Sequence, residues 1–76
     1  MMRSFEIKLF IDEIEQTLQV QEEKTPAGTY LINRDQKFVA RIFKDTDGQW
    51  KSVEVTDQSP SVIQAIGQEI ERNIEQ

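Results

Sequence analysis

The sequence predicts an α+β fold, an antiparallel meander sheet of four to five strands with one C-terminal α-helix packed on one face. Three observations carry this. Phe5, Ile7, Leu9 and Ile11 alternate with polar neighbours, the period of a half-buried strand. Two further alternating runs within residues 38–55 are joined through Asp47-Gly48, where glycine supplies the positive φ that hairpin loops demand. Finally, Ile63, Ile66, Gly67, Ile70 and Ile74 recur at the spacing of one buried helical stripe.

In the first strand only Phe10 breaks the polar side. A short connection near Asp12-Glu13-Ile14-Glu15 makes the second strand, Thr17–Gln21, antiparallel to it. Pro26 and Gly28 interrupt the chain between Lys24 and Gly28, Thr29–Ile32 forms the third strand, and Asn33–Gln36 is a polar turn. In the fourth strand Phe38, Ala40 and Ile42 are expected toward the helix. Lys37, Val39, Arg41 and Phe43 then occupy the open side, where Tyr30 or Arg34 could join them.

The loop after the fourth strand can be closed in two ways. A two-residue Asp47-Gly48 loop sets Lys44 opposite Lys51, so that like charges face each other. A three-residue Thr46-Asp47-Gly48 loop, with Gly48 as the left-handed residue of a bulge, pairs Lys44 with Trp50 and Ile42 with Ser52. The second arrangement is the expected one, and it makes Trp50 a core anchor on the side of Ile42 and Phe38.

Ser59 is a good N-cap, and Pro60 fits the first helical position, where its missing N–H costs nothing. The helix is expected over 60–75, with Gln64, Gln68, Glu71 and Glu75 on the side away from the sheet. Gly67 lies on the buried stripe although glycine inside a helix costs about 0.8–1 kcal/mol relative to alanine. A close approach of the helix to the sheet beneath Trp50 would account for it.

Residues 1–76 are expected to form a single small domain. A core of this size yields roughly 3–5 kcal/mol net, so a homodimer would supply useful extra burial. There is no Cys and no His, which removes thiol nucleophiles, imidazole bases and Cys/His zinc sites. The N-terminus lacks the apolar stretch of a secretory signal, and the longest apolar run is Leu9-Phe10-Ile11, so no membrane contact and a cytoplasmic location are expected.

The net charge of −5 hides a segregation. Asp12, Glu13, Glu15, Glu22 and Glu23 stand in a segment without bases, whereas Lys24, Arg34, Lys37, Arg41 and Lys44 accompany only Asp35. Pairing of these segments as neighbouring strands would set opposite charges across from each other.

Specific chemistry finds little support. Asp45, Asp47, Gly48 and Glu54 fit part of a calcium-loop pattern, but its first ligand position falls on Phe43 and the flanks alternate like strands. No cofactor, metal ligand or catalytic residue is therefore assigned, and Gly28, Gly48 and Gly67 are too isolated to form a phosphate-cradling loop. The reading that remains is a non-catalytic interaction or self-associating module using its open sheet face or an edge strand, with Phe10, Arg34, Lys37, Val39, Arg41, Phe43 and Lys44 as the candidate surface. The alternative is binding of single-stranded nucleic acid or another anionic ligand by the basic 34–44 segment; the pI of about 4.6 argues against a polyanion.

The runs Arg41–Trp50 and Val62–Glu71 resemble a type of small bacterial protein of unknown function. The resemblance covers the C-terminal half and rests on structural motifs. It implies a meandering antiparallel sheet closed by one helix, and it carries no activity or site residues.

Overall fold

Successive hairpins build the whole sheet, as short connections between alternating runs require. The computed structural model describes residues 3–24 and 27–74. In it β1 (Ser4–Ile11), β2 (Ile14–Glu23), β3 (Thr29–Arg34), β4 (Lys37–Lys44) and β5 (Trp50–Ser52) form one antiparallel sheet in the order β1-β2-β3-β4-β5, followed by α1 (Pro60–Ile74). Pro26 and Glu75, both used in the sequence reading, and the first two residues of the N-terminus lie outside the described residues.

The first and third connections are tighter than expected. Ile11 pairs with Ile14 and Arg34 with Lys37, leaving only Asp12-Glu13 and Asp35-Gln36 as turn residues. All four have positive φ, between 52° and 68°, the signature of type I′ turns. Neither turn contains glycine, yet each closes in two residues; β2 therefore starts at Ile14 rather than Thr17, and the polar turn shrinks to two residues.

The β4–β5 loop follows the three-residue arrangement. Asp45 N donates to Gln49 O at 2.8 Å, Gly48 N donates to Asp45 O at 3.0 Å, and Gly48 has φ of 86°. Lys44 therefore faces Trp50, and Ile42 faces Ser52. The turn's own amides engage its acids: Thr46 N donates to Asp45 Oδ1 at 2.8 Å and Gln49 N to Asp47 Oδ1 at 2.9 Å. Lys51 Nζ lies 2.6 Å from Asp45 Oδ2 and holds that carboxyl below its ordinary pKa, chiefly by hydrogen bonding.

Two expectations about β4 and β5 fail, each for a local reason. Ile32 pairs with Ala40 but Asn33 with Phe38, so Val39 is an extra residue on β4. This bulge breaks the period of two. Phe38 is 51% exposed instead of lying with Ala40 and Ile42, and Lys37, now opposite Arg34, is shifted off the side of Arg41. β5 ends at Ser52 rather than Val55. Beyond it the chain still follows β4, through Val53 N to Arg41 O at 2.7 Å and Thr56 Oγ1 to Val39 O at 2.9 Å.

The helix starts where its cap dictates, with Val62 N at 3.3 Å from Ser59 Oγ. It lies closest to β1, β4 and β5. β1 and β5 are four strand spacings apart, about 19 Å in a flat sheet, whereas a helix with its side chains is only about 10–12 Å across. The sheet must therefore curl around α1, and Leu18, Val20, Tyr30 and Ile32 of the middle strands fill the trough with Ile63, Ile66 and Ile70. Trp50 is buried against Gly67, as the glycine on the stripe foretold. Tyr30, expected as a candidate for the open side, is instead buried, its ring 5.8 Å from that of Trp50.

Gln64 and Glu71 do not face away from the sheet. Gln64 Oε1 accepts from Trp50 N at 2.5 Å, and Glu71 Oε1 accepts from the Trp50 indole Nε1 at 2.7 Å and from Lys44 Nζ at 2.9 Å. Among these described helix positions, Gln68 is the one left exposed.

Candidate interaction surface

The open side of the sheet is closed over by its own charges. Arg41, opposite Leu31, reaches across β3 to Glu23, with Nε–Oε1 at 2.7 Å, and its Nη1 meets Glu54. The expected pairing of the basic and acidic segments is thus realised across an intervening strand rather than between neighbours. Phe43 sits half-buried between Thr29 on β3 and Lys51 on β5, and Val39 is half-buried at the bulge. Their apolar surface is largely covered by this arrangement.

The candidate residues do not form one surface. Phe10 lies at the far end of β1, opposite Glu15 and 71% exposed. From the Ser4–Gln21–Leu31–Arg41 row it is displaced along the strand by the Ser4-to-Phe10 separation, roughly 20 Å at the rise of an extended chain. Arg34 is bonded to Gln16, and Lys44 turns to the helix side. Only Arg34, Lys37 and Val39 come together, in a shallow groove of about 290 Å³ that Phe38 and residues 55–58 complete. Asp57 stands in that groove too, so the basic segment is divided and partly neutralised.

Ser4, Glu6 and Lys8, which sequence reasoning passed over, lie on β1 with Phe10. The outer edge of the sheet at the other end, β5, is only three residues long, and α1 caps it through Gln64 on the outward Trp50 amide. β1 is eight residues long. Glu22 N donates to Arg3 O at 2.8 Å, so the odd-numbered residues of β1 exchange hydrogen bonds with β2. Ser4, Glu6, Lys8 and Phe10 consequently point their N–H and C=O groups outward, and among the described residues these backbone groups take part in no turn or side-chain hydrogen bond; the Glu6 side chain accepts from Gln19 Nε2 at 3.4 Å. Their four side chains are exposed. One signal was available: consecutive hairpins put the first strand at an edge, and its edge residues are then the even-numbered ones.

The Glu71 cluster yields a pH prediction. Hydrogen bonding from Lys44 first, and from the Trp50 indole second, holds the Glu71 carboxyl below its ordinary value of 4.5. A carboxyl depressed in the folded state stabilises that state above its unfolded pKa and loses the contribution as pH falls through the native value. Glu71→Gln keeps an indole acceptor but not the charge. Its urea midpoint is therefore expected below wild type near neutral pH, with the gap closing as the pH is lowered past the ordinary carboxyl value of 4.5 and through the depressed native one. A gap unchanged across that descent would show that the charge contributes nothing.

Among the described residues no helix is long and apolar enough to cross a membrane. No family model matches the chain, and neither a curated protein nor a solved structure matches it.

Proposed function

We propose that the protein is a non-catalytic, cytoplasmic interaction module that self-associates through the β1 edge. The observation that carries this reading is the contrast between the two ends of the sheet: β1 offers an eight-residue exposed edge, while β5 is short and capped by Gln64. An unpaired strand edge is a template for another strand, and main-chain hydrogen bonds supply the affinity. The open face is the weaker candidate, because Arg41, Glu23, Glu54 and Lys51 occupy its centre in ion pairs. A core this small also gains from added burial. The cytoplasmic assignment rests on the lack of Cys, which suits a reducing compartment.

Lys8→Pro tests this reading. The Lys8 amide points outward, so proline removes a donor from the edge without removing a bond to β2, and Ile7 before it is already extended. Sedimentation equilibrium from micromolar to millimolar protein is expected to show wild type passing from monomer to dimer and Lys8→Pro remaining monomeric, with native Trp50 fluorescence in both. A wild-type chain that stays monomeric at millimolar concentration overturns the proposal.

A further inference from the structure

Resting on that reading, we infer that the β1 edge is built to pair with β1 of a second copy in one antiparallel register, the one that sets Glu6 against Lys8 of the second copy. Only residues whose amides point outward can form hydrogen-bonded pairs across such an edge, so Ser4, Glu6, Lys8 and Phe10 must pair among themselves. Three well-overlapped registers satisfy this. One centres on Glu6 and sets it against its own copy; another centres on Lys8 and does the same. Both place like charges face to face, which destabilises a strand pair.

The third register centres on Ile7. It matches Glu6 with Lys8 and Lys8 with Glu6 of the second copy, and Ser4 with Phe10 and Phe10 with Ser4. Every outward residue of β1 is then paired, both ion pairs are of opposite sign, and each large Phe10 ring lies over a small serine. On the other side of the strand, the half-buried Phe5 meets Leu9 of the second copy, and Ile7 meets Ile7. Phe5 and Leu9 are core-packed residues whose remaining exposed surface this strand addition would cover.

A two-fold axis through Ile7, perpendicular to the sheet, keeps both helices on one side and joins two five-stranded sheets into one. A groove of about 300 Å³ lies between β1 and α1, with Lys8, Leu9 and Phe10 on one wall and Ala65, Gln68, Glu69 and Arg72 on the other.

Charge reversal tests the register. Glu6→Lys and Lys8→Glu each convert both opposite-charge contacts into like-charge ones, so each single variant is expected to weaken self-association by about tenfold or more. The double variant Glu6→Lys/Lys8→Glu restores opposite charges and is expected to return to wild-type affinity. Mixing the two single variants is expected to give a heterodimer tighter than either homodimer, since the lysines of one chain face the glutamates of the other. Sedimentation of all five samples reads this out, with far-UV circular dichroism to confirm that each is folded. Wild type that dimerises and loses dimerisation on Lys8→Pro, while the single charge variants keep wild-type affinity or the mixture shows no preference, overturns the register and leaves the edge reading standing. A monomeric wild type removes both.

Discussion

Gly67→Ala is expected to be the most damaging single-methyl change in the protein. A Cβ built on Gly67 falls 2.1 Å from Cγ, 2.2 Å from Cδ2 and 2.4 Å from Cδ1 of Trp50. No non-bonded pair of carbons sits so close, so the indole or the helix must move. The indole is held on several sides, by Tyr30 at 5.8 Å between ring centroids, by Glu71 on its Nε1 and by Gln64 on its backbone N. Movement of the helix instead pulls Ile63, Ile66 and Ile70 from the trough of the curled sheet. Alanine's better helix propensity returns only about 1 kcal/mol, whereas overpacking costs typically 1–3 kcal/mol and occasionally more. With an overlap this deep the upper end of that range applies, so a net loss of about 2 kcal/mol is expected, against a total stability of roughly 3–5 kcal/mol. Urea unfolding followed by the fluorescence of Trp50, the only tryptophan, measures it directly. Trp50→Leu in the same chain, with unfolding followed by far-UV circular dichroism because the fluorescent reporter is removed, is expected to relieve part of the clash, giving a coupling between the two positions that distant sites do not show. A Gly67→Ala protein as stable as wild type would mean that helix and sheet are not in this contact.

Gln36→Gly is expected to do the opposite and stabilise. Gln36 has φ of 66°, in a region that costs a residue bearing a Cβ about 1–2 kcal/mol. Glycine removes that strain but adds freedom to the unfolded chain, offsetting about 0.5–1 kcal/mol. The net gain is about 0.5–1 kcal/mol, and Glu13→Gly, at φ of 68° in the other type I′ turn, should contribute a similar amount. The turns lie at different hairpins, so the two gains should add. For a domain of this size each kcal/mol moves the melting temperature by about 4–8 °C. Thermal melts of the two single variants and the double variant check the sign and the additivity. Gly48→Ala supplies the converse: φ is 86° and a Cβ there meets nothing within 4 Å, so its expected loss is purely conformational. If Gln36→Gly lowers the melting temperature, the turn is held by something other than backbone preference.

These two positions also show what the sequence could and could not reveal. Gly67 was legible because a glycine inside an otherwise regular isoleucine stripe has few reasons to exist, and close packing on Trp50 is one of them. The loop at Gly48 was legible because charge pairing distinguished the two possible closures. The turns at Asp12-Glu13 and Asp35-Gln36 were not, since Glu and Gln give no sign of positive φ and the strands beside them impose the conformation. The bulge at Val39 left no residue-type signal at all, yet it rotated Phe38 outward and divided Lys37 from Arg41. The candidate surface suffered for that reason: strict alternation placed its members on one side, and one inserted residue undid the alternation. Tyr30 illustrates a related limit, because which side of a short strand faces inward depends on the curl of the whole sheet.

The unequal ends of the sheet have a further consequence, for the size of any assembly. A protein with two sticky strand edges can add copies indefinitely, each newcomer presenting a fresh edge, and the product is a fibre. Here the far end is three residues long, and the Trp50 amide there is already taken by Gln64 of the helix. On the proposed reading, a copy that uses its β1 edge would offer only this short, partly capped edge to a third. Growth by strand addition would then terminate at two, and the hydrogen bond from Trp50 to Gln64 would block the far edge as well as seat the helix.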